Sequence, residues 1–104
     1  KFLIKQAFAE AMDLHRQNRF EEAKAIYNKI LTVNDSEPNA HHLISLIFMA
    51  EGEFEKAEQK FKQVIFLDPQ HFNGHVLLAE CQIRLSRADS TMKKLISIGK
   101  ILNF

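Results

Sequence analysis

The stretch AEGEFEKAEQKFKQVIFLDPQ, Ala50 to Gln70, decides how the chain is read. Its apolar residues Phe54, Ala57, Phe61, Val64 and Ile65 recur at i, i+3, i+7, i+10 and i+11, the spacing of one buried helix face. Gly52 stands before them, suited to the left-handed backbone that ends a preceding helix. Asp68-Pro69 closes the stretch, because proline has no N–H and disfavours helix in the residue before it. Upstream, Leu43, Ile44, Ile47 and Phe48 mark another helical face, so Gly52 lies in a turn between two helices.

The pattern recurs 34 positions away. Phe20 matches Phe54, Glu21 matches Glu55, Ala23 matches Ala57, Tyr27 matches Phe61, Ile30 matches Val64 and Leu31 matches Ile65. Asn34-Asp35 falls on Asp68-Pro69, and one further step takes His41 to His75, Ile44 to Leu78 and Ser45 to Ala79. A fixed period of this length marks stacked supersecondary units. The turn column reads Asn18, Gly52, Ser86; Asn tolerates the left-handed region, and Ser does so less readily. Asp35-Ser36-Glu37-Pro38 separates the first unit from the second, with Ser36 expected to cap the helix that follows. The periodicity predicts helices over 2–17, 20–33, 38–51, 54–67, 71–85 and 88–102.

This pattern resembles the tetratricopeptide repeat. The second unit carries the likeness through Ser45, Gly52, Phe54, Ala57, Phe61 and Pro69, and the first through Ala11, Phe20, Ala23 and Tyr27, with Asp35 where Pro is usual. The third keeps Leu78 and Ala79, then departs with Ala88, Thr91 and Leu95 where the family places aromatic, Ala and aromatic. The resemblance implies an all-α, right-handed solenoid of three helix–turn–helix repeats, about 4–37, 38–71 and 72–104, with six antiparallel helices. The small residues at Ala23 and Ala57 then allow close helix approach, and Tyr27 and Phe61 fill the space between.

The resemblance also implies protein binding in a concave groove lined by the first helix of each repeat. The groove positions are Lys5, Phe8, Met12, His15 and Arg16 in the first unit. They are Asn39, His42, Leu46, Met49 and Ala50 in the second, and Asn73, Val76, Glu80, Ile83 and Arg84 in the third. One subtype of the family grips a C-terminal carboxylate with Lys, Asn and Arg. This sequence has Phe8, Met12, Leu43, Asn73 and Leu77 at those positions, so the clamp is missing and chaperone C-terminal tails are not the expected ligand. An apolar, Met-containing stripe suits a partner helix or an extended apolar peptide, with Lys5, Arg16 and Arg84 adding charge at the rim. The same stripe also fits helix-on-helix packing, or contact with a neighbouring segment.

Composition narrows the partner class. With 14 Lys and Arg against 13 Asp and Glu, the net charge of +1 gives no basic surface for phosphate backbones, so no nucleic acid is expected. No apolar run reaches the ~20 residues of a membrane span. The lone Cys81 excludes an internal disulfide and fits a reducing, cytoplasmic setting. His71 and His75 stand four apart, a spacing able to hold zinc, but neither Cys nor carboxylate completes a ligand pattern, and His41 and His75 share a repeat column, which explains them by packing. Cys81 has no base beside it, and Glu10 and Glu80 form no acid–base couple, so neither an enzyme nor a cofactor is expected. Ile96, Ile101, Leu102 and Phe104 exceed what three repeats can bury, which points either to more chain in the natural protein or to self-association through apolar ends. The run LDPQHFNGHVLLAECQIRL, 67–85, resembles the repeat tail of some chemotaxis-receptor methyltransferases, the run RQNRFEEAKAIYNKIL, 16–31, resembles repeats ahead of some glycosyltransferases, and small secretion chaperones of three such repeats are a third parent the resemblance allows.

Overall fold

The computed structural model describes residues 3–101, with the side chains of Thr91, Lys100 and Ile101 left aside. Five helices follow in order: α1 Ile4–Arg16, α2 Phe20–Val33, α3 Pro38–Ala50, α4 Phe54–Leu67 and α5 Phe72–Ile101. Each packs on the next along the chain, α1 on α2, α2 on α3, α3 on α4 and α4 on α5. The body measures 64 × 29 × 19 Å, the elongated outline of an all-α solenoid.

The turn column explains two of the joints. Asn18 has φ 60° and Gly52 has φ 77°. At both, the helix closes the same way. Asn18 N donates to His15 O and Arg19 N to Leu14 O at 2.9 Å each; Gly52 N donates to Met49 O at 3.0 Å and Glu53 N to Phe48 O at 2.8 Å. This paired closure satisfies carbonyls that a helix end leaves open, and it needs one residue at positive φ. The inter-repeat joint also repeats. Asn34 Oδ1 accepts from Ser36 N, and Asp68 Oδ1 accepts from Gln70 N. His41 Nε2 then donates to Asp35 O and His75 Nε2 to Pro69 O, both at 2.8 Å, so the shared His column braces the turn six residues before it.

The buried residues follow the register. Ala23, Tyr27 and Ile30 in α2 and Ala57, Phe61 and Val64 in α4 are all fully buried. One core cluster joins Ala7, Ala11, Ala23, Tyr27, Ile30, Ala40, Ile44 and Ile47. A second gathers around Ala57, Phe61 and Cys81, and Phe48 packs against both.

Two expectations are corrected. The stretches read as helices 71–85 and 88–102 are one 30-residue helix, α5, so five helices replace six. Ser86, at the turn column, lacks the tolerance for positive φ that Asn18 and Gly52 bring, and good helix formers surround it. The cap of α3 is Glu37, whose side chain accepts from Asn39 N; Ser36 Oγ donates to Asp35 instead. Glu10 is exposed on α1. The starts and ends read at Lys1, Phe2 and Leu102–Phe104 lie outside the described residues.

Candidate functional site

Two helices frame a hollow among the groove positions. Phe8 and Met12 project from α1, and Asn39, His42 and Leu43 from α3; together they line about 290 Å³. Residues four apart on α1 and three or four apart on α3 share a face, which is why the register sets them opposite one another. Met12 is 40% exposed, so its flexible thioether side chain is open to solvent. Phe8 is half-buried, leaning on Tyr27 with ring centres 6.2 Å apart.

His42 adds a half-buried imidazole to the lining. Its ring lies 5.8 Å from Phe61 and 4.6 Å from His71. Burial, with the neighbouring His71 adding to it, pushes its pKa down to about 4, so the imidazole is neutral near pH 7. Its Nδ1 is buried without a hydrogen-bond partner, as is the Tyr27 hydroxyl. His71 Nδ1 accepts from Gly74 N at 2.9 Å, which places the neutral ring's proton on Nε2. Gly74 permits that approach: an added Cβ would lie 3.0 Å from His71 Nδ1 and 3.3 Å from Val64.

The other groove positions divide. Leu46 and Met49 are half-buried and pack on the cluster around Phe61, so this part of the stripe serves the core. His15 turns edge-on to Phe20 at 5.6 Å, and burial followed by the charge of Arg16 lowers its pKa. Lys5, Asn39, Asn73 and Ala50 are exposed. Arg16 pairs with Asp13, and Arg84 pairs with Glu80 while lying over the Phe54 ring. Val76 and Ile83 stand about half exposed on α5.

Sequence reasoning missed two features. Leu43 entered as part of an apolar helix face and as a residue replacing a carboxylate clamp, not as a groove position, yet it lines the hollow; that clamp position was the available signal. Elsewhere, Phe48, Lys56, Gln59, Lys60 and Gln63 line a hollow of about 300 Å³, with Lys24 and Lys56 over the Phe48 ring. Lys24 there also bridges Glu21 and Glu51 at 2.9 and 3.0 Å. Nothing in the 34-residue period marks that contact.

The chemistry of a catalyst is weakly represented. Burial raises the Cys81 thiol, which favours its unreactive protonated form. Among the described residues no group of three or more His, Cys, Asp or Glu is gathered to hold a metal, and no helix is long and apolar enough to cross a membrane.

The fold has close counterparts. The translocator chaperone SycD of Yersinia enterocolitica type III secretion superposes with a TM-score of 0.74 at 13% identity, over 80% of this chain and 57% of that one. The first TPR domain of Spaghetti (RPAP3), solved with an HSP90 peptide, gives 0.74 at 20% identity, over 81% of this chain and 67% of that one. In sequence, the TPR repeat-containing thioredoxin TTL4 of Arabidopsis thaliana is 23% identical over 87 residues, 84% of this chain. The chain spans only 13% of that relative's length. The family model for anaphase-promoting complex, cyclosome, subunit 3 matches residues 7–94. With most of its length matched and its helices closed by the repeat's own turns, the chain belongs to that family, a tetratricopeptide-repeat family.

Proposed function

We propose that the chain is a protein-interaction module and not itself a catalyst. It takes an apolar partner segment, a helix or an extended peptide, in the hollow between α1 and α3. The observation that carries this reading is the lining of Phe8, Met12, Asn39, His42 and Leu43, apolar apart from an exposed amide and a neutral imidazole. Neutral His42 and exposed Met12 favour an apolar anchor over a carboxylate. The HSP90 peptide seen in the Spaghetti structure is therefore not the expected ligand. Lys5 and Arg16, exposed on α1, favour acidic residues flanking that anchor. A module of this kind also suits a segment of a larger protein, such as the plant relative named as a TPR repeat-containing thioredoxin.

The test selects ligands and then asks where they sit. A random peptide library is panned against the chain, and selected peptides are titrated by fluorescence anisotropy into wild type and Met12→Glu. Met12 is exposed enough for the variant to fold. Selected peptides carry apolar anchors and lose at least about tenfold in affinity for Met12→Glu, a loss of roughly 1.4 kcal/mol. Peptides that bind both proteins equally would move the site away from the hollow.

A further inference from the structure

The sequence carries one His–Lys spacing twice. His41 and Lys60 stand 19 apart, and His75 and Lys94 repeat the pair 34 positions on. In the second unit, packing of α3 on α4 brings Lys60 Nζ to 3.4 Å from His41 Nδ1. In the third unit both residues belong to the unbroken α5, whose axis separates them by about 28 Å. The Asp35 carbonyl can only accept, so its 2.8 Å contact fixes the proton of the neutral His41 ring on Nε2. Nδ1 then presents its lone pair to Lys60. Lys60 is half-buried and has no carboxylate within ion-pair reach among the described residues, whereas Lys24 bridges Glu21 and Glu51 and Lys56 stands 3.9 Å from Glu53. Burial lowers the Lys60 pKa, because an ammonium is costly to take out of water and a neutral amine is not. The amine borders the hollow of about 300 Å³ that Phe48, Lys56, Gln59 and Gln63 also line. Residues 56, 59, 60 and 63 form one stripe of α4, so two amides and a second ammonium share its wall.

We propose that Lys60 is a modification site, acylated at Nζ by small anionic acyl donors of the acyl phosphate class. The neutral amine attacks the carbonyl carbon. A C–N bond forms and the C–O bond to phosphate breaks. The proton lost from Nζ passes to His41 Nδ1 and then to the departing phosphate. Amine and acyl phosphate thereby become N-acyl-lysine and hydrogen phosphate. The Gln59 and Gln63 amides are the donors at hand for the carbonyl oxygen as it gains charge, and the Lys56 ammonium attracts the phosphate. The product suits its place, since an uncharged amide beside Phe48 costs less to hold half-buried than an ammonium does. The site shares no lining residue with the hollow between α1 and α3, so it stands independently of the ligand reading.

The experiment is a limited reaction of the folded chain with acetyl phosphate, read lysine by lysine by mass spectrometry. Lys62, exposed on the same helix, and Lys94, exposed in the same repeat column, are the internal references. Lys60 acetylates at least about tenfold faster than either, because a positioned general base contributes that much or more. In urea the three react alike. His41→Gln keeps the helical circular dichroism signal and brings Lys60 down to the reference rate, since an amide is no base. If that variant unfolds, the comparison of native wild type with wild type in urea decides alone. A native Lys60 no faster than Lys62 and Lys94 overturns the proposal. So does a Lys60 that keeps its lead in urea, since the folded pairing would then not be its cause, and so does a folded His41→Gln protein whose Lys60 is as fast as in wild type.

Discussion

Tyr27→Phe should stabilise this protein, which is unusual for a substitution in a fully buried position. The Tyr27 side chain is 0% exposed and its hydroxyl has no hydrogen-bond partner. An unpartnered buried hydroxyl costs about 1–3 kcal/mol in lost hydration. Its removal also forfeits a few dispersion contacts, so the net gain should be about 1 kcal/mol, raising Tm by about 4–8 °C in a domain of this size. The repeat already contains the control, because the same column holds Phe61, equally buried. The pH dependence sharpens the test. Burial raises the Tyr27 pKa from 10.0 to about 12. A group whose folded pKa is raised contributes stability fully present below its unfolded pKa and lost as pH rises through the folded one. Wild type should therefore lose roughly 2–3 kcal/mol from this group between pH 10 and pH 12, and Tyr27→Phe should not. Urea denaturation of both proteins at a series of pH values isolates the difference, since lysine titration is common to the two. Tyr27 is the only tyrosine and there is no tryptophan, so its ionisation is read directly by ultraviolet absorbance. A variant less stable than wild type by about 1 kcal/mol would mean the hydroxyl is hydrogen-bonded, and a tyrosine titrating near 10 would mean the column is not sealed.

Ala57→Leu should overpack the α3–α4 contact and lower stability by at least about 1–3 kcal/mol in the same denaturation assay, because Ala57 is fully buried beside Phe61; an unchanged midpoint would break the register. Gly52→Ala meets no neighbouring atom, yet should cost about 1–2 kcal/mol because φ is 77° there, and a cost near zero would mean the turn relaxes into another conformation. His42 has a folded pKa depressed to about 4, so it contributes stability that is present above about 6.5 and lost as pH falls towards 4. Proton NMR should find its ring neutral at pH 5.5, and His42→Phe should flatten the acid limb of the stability profile; a ring titrating near 6.5 would place it in solvent.

Residue spacing alone determined the repeat. Ala23, Tyr27, Ala57 and Phe61 occupy a periodic pattern, and helix geometry turns a pattern of that period into one face, so their complete burial followed from sequence. The turns at Asn18 and Gly52 were equally legible, since few residues accept positive φ. The His41 and His75 column was legible as packing, though its hydrogen bonds to Asp35 and Pro69 carbonyls were not. What sequence could not assign was how two helices share a side chain. Leu46 and Met49 lie on the groove stripe by register, but in the folded chain they pack on the Phe61 cluster, while Leu43 reaches the hollow. The Lys24–Glu51 bridge joins residues 27 apart, a contact that no local period encodes. The fate of residues 72–101 was decided at one position. Helical propensity continues through Ser86, and only a turn residue with tertiary packing to reward it would have stopped the helix there. The repeat was thus local chemistry repeated, whereas the site and the unbroken α5 depend on which surfaces the folded chain brings together.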